Sequence, residues 1–263
     1  MKKKYWLALW WGAAKWLAHI WVLKYIEKKN ILISEISGTS IWAIIWWLYS
    51  IWKSSTEITK IIENINFLKL IDINLKKSII SWDKIYDLLC SIFWDLLIEN
   101  CKIPLKIIAT NLETWKKNIF TKWKIVDAIR SSICLPTIFK PYKIWINTYL
   151  DWWLTSNLPI SELNQKNIIA CSVIREKKKH KPKEFKEFLW LKLKTWFWHY
   201  NYEILKRTFF ITMKTNEDYN LLISQKTKNI TLIEPDVWDY EFYDFMLYKE
   251  IIKIWYEEFK NIN

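Results

Sequence analysis

Ser37-Gly38-Thr39-Ser40-Ile41-Trp42 is the stretch on which the fold of this chain turns. Upstream, Asn30 to Ile36 reads as an irregular connection leading into a strand that ends at Ser37-Gly38. A helix is predicted to begin directly after Ser40. A strand that turns sharply into a helix holds the intervening residue in a strained backbone conformation and projects its side chain from the bend. The N-terminus of the following helix then favours negative charge developing there. Small residues are needed on both sides of such a turn. Gly38 supplies one, and Trp42 stands where the other belongs.

The flanking sequence repeats the strand, loop, helix pattern. Residues 5 to 10 read as a buried first strand, residues 10 to 14 as a small-residue loop, and residues 15 to 28 as a helix. Residues 54 to 101 are mostly helical by spacing, with Lys106 to Ala109 a short strand after Pro104. Ile125 to Ile133 reads as a helix closed by Leu135-Pro136, and Tyr142 to Asn147 as a turn with a hairpin tip at Trp145. Tyr149-Leu150 reads as a strand end and Asn167 to Val173 as a buried strand. Residues 183 to 213 and Tyr240 to Phe259 complete the chain as helices. Alternation of this kind predicts an α/β fold in three layers, helices covering both faces of a mostly parallel sheet. The 263 residues suit one domain.

Trp42 belongs to a wider anomaly. The chain holds 2 glycines and 21 tryptophans, whereas glycine averages about 7% of residues. Without glycine, turns that require positive φ would be strained. Many tryptophans occupy such positions: Trp115 before Lys116-Lys117, Trp123 between Lys122 and Lys124, Trp145 at the predicted hairpin tip, and the pairs Trp10-Trp11, Trp46-Trp47 and Trp152-Trp153. We read the gene as one in which UGA encodes glycine, translated here as tryptophan. The 21 tryptophans added to the 2 glycines give 23 glycines, about 9% of the chain and close to ordinary usage. Tryptophan codons reading UGG would contradict this hypothesis.

With glycine restored, Gly38-Thr39-Ser40-Ile41-Trp42 becomes G-x-S-x-G, a nucleophile elbow centred on Ser40. Leu9 to Trp16 becomes a glycine-rich turn at the start of a helix. There the backbone N–H groups of Trp10, Trp11, Gly12 and Ala13 are candidates for holding an oxyanion. Nucleotide binding is the rival reading of that turn, but no acidic ribose partner stands at the expected place about 20 residues on. Leu150-Asp151-Trp152-Trp153-Leu154-Thr155-Ser156-Asn157-Leu158-Pro159 becomes LDGGLTSNLP.

These three motifs, in this order and spacing, resemble those of the patatin-like phospholipases. So does Ala109-Thr110-Asn111-Leu112-Glu113-Thr114 with Ala128-Ile129-Arg130-Ser131-Ser132 leading to Leu135-Pro136. The resemblance covers residues 5 to 163 well and the remainder, 164 to 263, more loosely. It implies a serine lipid acyl hydrolase with a Ser-Asp dyad. Ser40 would be the nucleophile and Asp151 the base, with Gly38, Trp42, Trp152 and Trp153 supporting the motif turns. An acyl-enzyme would form and be hydrolysed, and neither metal nor cofactor would be required. A broader esterase or transacylase is the alternative enzyme. A conventional triad would need His19, His180 or His199, none of which lies in a motif. Arg130, near a helix end, reads as a surface or packing group.

The remaining composition sets the partners expected. Hydrophobic residues at 52% and charged residues at 25% are those of a globular protein. The lysine-led N-terminus imitates a secretory signal, but Lys15, His19 and the amphipathic pattern after them predict a buried helix and a cytoplasmic protein. A net charge of +13 is spread along the chain. Only Arg175 to Lys183 is dense, so peripheral contact with the inner membrane surface is weighed and nucleic acid is not expected. A noncatalytic basic membrane-binding protein is the reading if the tryptophans are literal. Cys90, Cys101, Cys134 and Cys171 lack CxxC spacing and are expected as buried free thiols. The substrate expected is a phospholipid or lysophospholipid.

Overall fold

In a computed structural model of the chain, residues 4–9, 18–39, 44–65, 82–93, 95–134, 141–151, 158–172 and 196–234 are described. Their elements run β1 (Lys4–Leu9), α1 (Ala18–Lys28), β2 (Leu32–Gly38), α2 (Ile44–Ser50), α3 (Ser55–Glu63) and α4 (Trp82–Phe93). A short 3-10 turn (Ile98–Asn100) leads to β3 (Leu105–Asn111), β4 (Lys116–Phe120) and α5 (Ile125–Ser132). The hairpin β5 (Tyr142–Ile144) and β6 (Asn147–Leu150), then β7 (Asn167–Cys171), α6 (Trp196–Gln225) and β8 (Asn229–Ile233), complete the order.

Five strands pair in parallel, in the order β3-β2-β1-β7-β8. The added strands β4, β5 and β6 are antiparallel. The fold is thus mixed α/β, with a mostly parallel sheet flanked by helices. Its core strands read as continuous apolar runs because both faces are covered: Leu7, Ile36, Ile107, Ile168 and Ile169 are all buried. Val22, Leu23 and Ile26 of α1 and Ile45 and Leu48 of α2 join the same cluster.

Helix ends show how the chain turns. At the end of α1, Asn30 donates to the Glu27 carbonyl and Ile31 to the Ile26 carbonyl. At the end of α2, Trp52 donates to Tyr49 and Lys53 to Leu48 in the same way. Both are Schellman caps, in which the residue after the cap takes a left-handed conformation that glycine and then asparagine favour. Asn30 has φ 50° and Trp52 φ 72°. The other non-glycine residues of positive φ among those described are Trp115 at 58°, Trp123 at 118° and Trp145 at 54°, the three tryptophans that the sequence places in turns. Trp145 is the first of the two residues joining β5 to β6, a place glycine commonly takes.

The structure corrects several expectations. The stretch Asn30 to Ile36 is not an irregular connection, since β2 is already formed at Leu32. β4 and β8 are strands the spacing does not show, and α6 runs on to Gln225 rather than stopping near 213. All four cysteines are free, but only Cys134 and Cys171 are buried, while Cys90 and Cys101 are half-buried. The predicted helix Tyr240 to Phe259 and the basic run Arg175 to Lys183 lie outside the described residues. No helix among the described residues is long and apolar enough to cross a membrane.

Candidate active site

Two strand ends meet head-on along one edge of β3. β4 pairs with β3 continuously from Ile107 to Asn111, so any other partner of those residues lies on the opposite edge. That edge is shared. β2 runs along it in parallel and ends with Gly38 opposite Ile107. β6 enters antiparallel from the far end, with Leu150 opposite Thr110. Only Ile108 and Ala109 separate the two pairings, a span of roughly 10 Å between Ile107 and Thr110 at the usual strand rise. Thr39, continuing from β2, and Asp151, continuing from β6, therefore approach each other. The same geometry gives a reason for β2 ending at Gly38: the arriving end of β6 occupies the edge along which β2 would otherwise continue.

Asp151 is fully buried and its backbone is fixed on both sides. Its N–H donates to the Cys134 carbonyl at 2.8 Å, and its own carbonyl accepts from Thr110 Oγ1 at 3.1 Å. Cys134 in turn lies under Arg130, whose guanidinium donates to Cys134 Sγ at 2.9 Å and stacks 5.0 Å from the Tyr142 ring. Arg130 is buried, a packing group rather than a surface one. Burial pushes the Cys134 thiol up to about 11, with Arg130 opposing and Asp151 adding to the shift. Cys134 is thus a neutral thiol at physiological pH, and no thiolate nucleophile is available beside Asp151.

Of the residues expected to carry chemistry, Asp151 and Gly38 are placed, both buried at the meeting point described above. Ser40, Trp42, Trp10, Trp11, Gly12, Ala13, Trp152 and Trp153 lie outside the described residues. Residues 10 to 13 follow Leu9, whose strand is in register with Cys171 at the same end of the sheet at which Gly38 ends. That end, where parallel strands deliver their C-termini, is where open α/β sheets place their ligands. His19 is buried in α1 with its ring edge-on to Trp46 at 5.6 Å, a packing position. Cys134 adjoins Asp151 without a motif that announces it, and although Thr110 and Ser37 lie within or beside motif stretches, nothing local assigns them their bonds to the Asp151 and Pro159 carbonyls.

Comparison with known proteins bears on the family and the fold. Residues 12–164 match the patatin-like phospholipase family. Uncharacterized NTE family proteins of Mycobacterium bovis and Mycobacterium tuberculosis are 26% identical to this chain over 160 residues. That match takes in 60% of this chain and 44% of theirs, so the chain matches less than half the length of these curated relatives. The crystal structure of VipD from Legionella pneumophila superposes with a TM-score of 0.51 at 13% identity, covering 65% of this chain and 50% of that one, a likeness of fold. With the family matching more than half of its length, the chain belongs to the patatin-like phospholipases, a family of lipid acyl hydrolases.

Proposed function

We propose that this protein hydrolyses phospholipid or lysophospholipid esters through an acyl-enzyme, with Ser40 as nucleophile and Asp151 as its base. The observation that carries the proposal is the meeting of β2 and β6 on one edge of β3. β2 ends at Gly38, two positions before Ser40 in sequence, and β6 ends at Leu150, one position before Asp151, so the two strands that lead to these residues meet although Ser40 and Asp151 are more than 100 positions apart. In this reading the Asp151 carboxylate accepts the Ser40 proton as the hydroxyl oxygen attacks the ester carbonyl. The oxyanion forms beside the backbone N–H groups of Trp10 to Ala13, and the alcohol leaves with the proton. Water then attacks the acyl-enzyme by the same route.

Burial of Asp151 suits this role, because a base with a fixed backbone and little water around it loses little free energy to reorganisation as the proton moves. The elbow and the glycine-rich turns need glycine at Trp10, Trp11, Trp42, Trp152 and Trp153. The proposal is therefore made for the protein with glycine at its 21 tryptophan positions. Fatty-acid release from phospholipid vesicles should fall to background in Ser40→Ala. Asp151→Asn should lose roughly 10²- to 10⁴-fold in kcat, the usual contribution of a positioned base. Hydrolysis that persists in Ser40→Ala would overturn the assignment.

A further inference from the structure

The chain returns from Asp151 through residues 152–157 to a short irregular segment, Leu158 to Leu163, before β7. Leu158, Ile160 and Leu163 are fully buried. Irregular backbone in such a place needs donors for its carbonyls, and here side chains from distant elements supply them. Ser37 Oγ of β2 donates to the Pro159 carbonyl at 3.0 Å. Lys228 Nζ, just before β8, bridges the Ile160 and Leu163 carbonyls at 2.7 and 2.6 Å. Lys106 Nζ of β3 donates to the Glu162 carbonyl at 2.7 Å and pairs with Glu35 of β2 at 3.1 Å. The Glu162 carboxylate is taken by Lys117 of β4. Four of the five carbonyls from Pro159 to Leu163 therefore accept from side chains.

This placement has a consequence for the site. Asp151 is anchored upstream at Cys134 and Thr110, and Pro159 is anchored downstream to Ser37, three residues before Ser40. We propose that Lys228 and Lys106 are positioning residues for acyl transfer: they hold the segment after Asp151 against the strand that delivers Ser40. An ammonium suits this work because it carries three donors and bridges two carbonyls at once, with charge-assisted bonds that are stronger than neutral ones. A shift of about 1 Å in a reacting group costs on the order of 10²-fold in rate, so a slack anchor shows in kcat before it shows in binding. The inference rests on the Ser40 and Asp151 reading above.

The test compares Lys228→Met, which removes both bonds, with Lys228→Arg, which keeps charge and donors. kcat and KM are measured on a soluble short-chain ester well below each variant's melting temperature. Lys228→Met is expected to lower kcat on the order of 10- to 100-fold and to leave KM essentially unchanged, with Lys228→Arg recovering most of the rate. Where Lys228→Met does not fold, Ser37→Ala, which loses only the bond to Pro159, is expected to lower kcat several-fold. A wild-type kcat in folded Lys228→Met, or in Ser37→Ala where that variant stands in, would overturn the inference, as would an equal loss in Lys228→Arg. Ser40→Ala separates this failure from that of the parent reading: if Ser40→Ala is inactive and Lys228→Met is fully active, only the positioning inference falls.

Discussion

Thr110 Oγ1 donates to the Asp151 carbonyl across the edge of β3, tying the residue proposed as base to the strand that also pairs with the end of β2. A bond between buried partners of this kind is worth more when broken than when made, because the acceptor is left without its partner in a place water does not reach. Thr110→Val keeps the shape and removes the donor. It is expected to cost about 1–3 kcal/mol in denaturant unfolding and to lower kcat with little change in KM. Unchanged stability would show that the carbonyl finds another donor.

Among the described residues, four tryptophans hold backbone conformations that a β-carbon disfavours. Trp52, Trp115 and Trp145 are also strongly exposed, at 66%, 85% and 78%, so their indoles contribute little burial to offset the strain. Replacing each with glycine should raise stability by about 1 kcal/mol, the cost of a left-handed conformation for a residue with a side chain. Glycine in place of Ile211, which is inside α6 and as exposed as Trp52, should lower it by roughly the same amount. Destabilisation by Trp115→Gly and Trp145→Gly would contradict the reading of these positions as glycine. Trp46 and Trp47 point the same way. Both are fully buried in α2, and their indole N–H groups have no hydrogen-bond partner among the described residues, an arrangement that costs stability.

Glu35 makes the lysine clamp sensitive to pH. Burial, the largest influence, raises its carboxyl above the ordinary 4.5, and the hydrogen bond and charge of Lys106 oppose the rise. The native state thus holds this proton more tightly than the unfolded chain does. The stabilisation it gives is complete below 4.5 and is lost as pH rises through the folded pKa. Glu35→Gln removes this dependence. The stability of wild type minus that of Glu35→Gln is therefore expected to fall as pH rises from below the ordinary 4.5 through the raised folded-state pKa. A difference that grows over that range would give the shift the opposite sign.

How much of this was legible in the sequence depends on whether the feature is local. The strand that ends at Gly38 and the strand end just before Asp151 announce themselves through short motifs, and the alternation of apolar runs gives the parallel sheet. β4 does not, because Lys116-Lys117-Asn118 is polar on both faces and its first two residues are exposed, as an edge strand permits. α6 hides its last turns behind Asn216, Glu217, Asp218 and Asn220, although Glu217 is itself buried. The anchors of the site were out of reach altogether. Ser37 and Pro159 are 122 positions apart, and Lys228 and Ile160 are 68 apart, and no local pattern encodes a side chain that satisfies a distant carbonyl.

The central claim is that Ser40 is the nucleophile at the meeting of β2 and β6. Treating the protein that carries glycine at its 21 tryptophan positions with a fluorophosphonate, and locating the adduct by tandem mass spectrometry, tests it most directly. The account predicts a single phosphonyl adduct on Ser40, formed far more slowly in Asp151→Asn and absent from Ser40→Ala together with ester hydrolysis. An adduct on a different residue, in a Ser40→Ala protein that still hydrolyses esters at the wild-type rate, would contradict it.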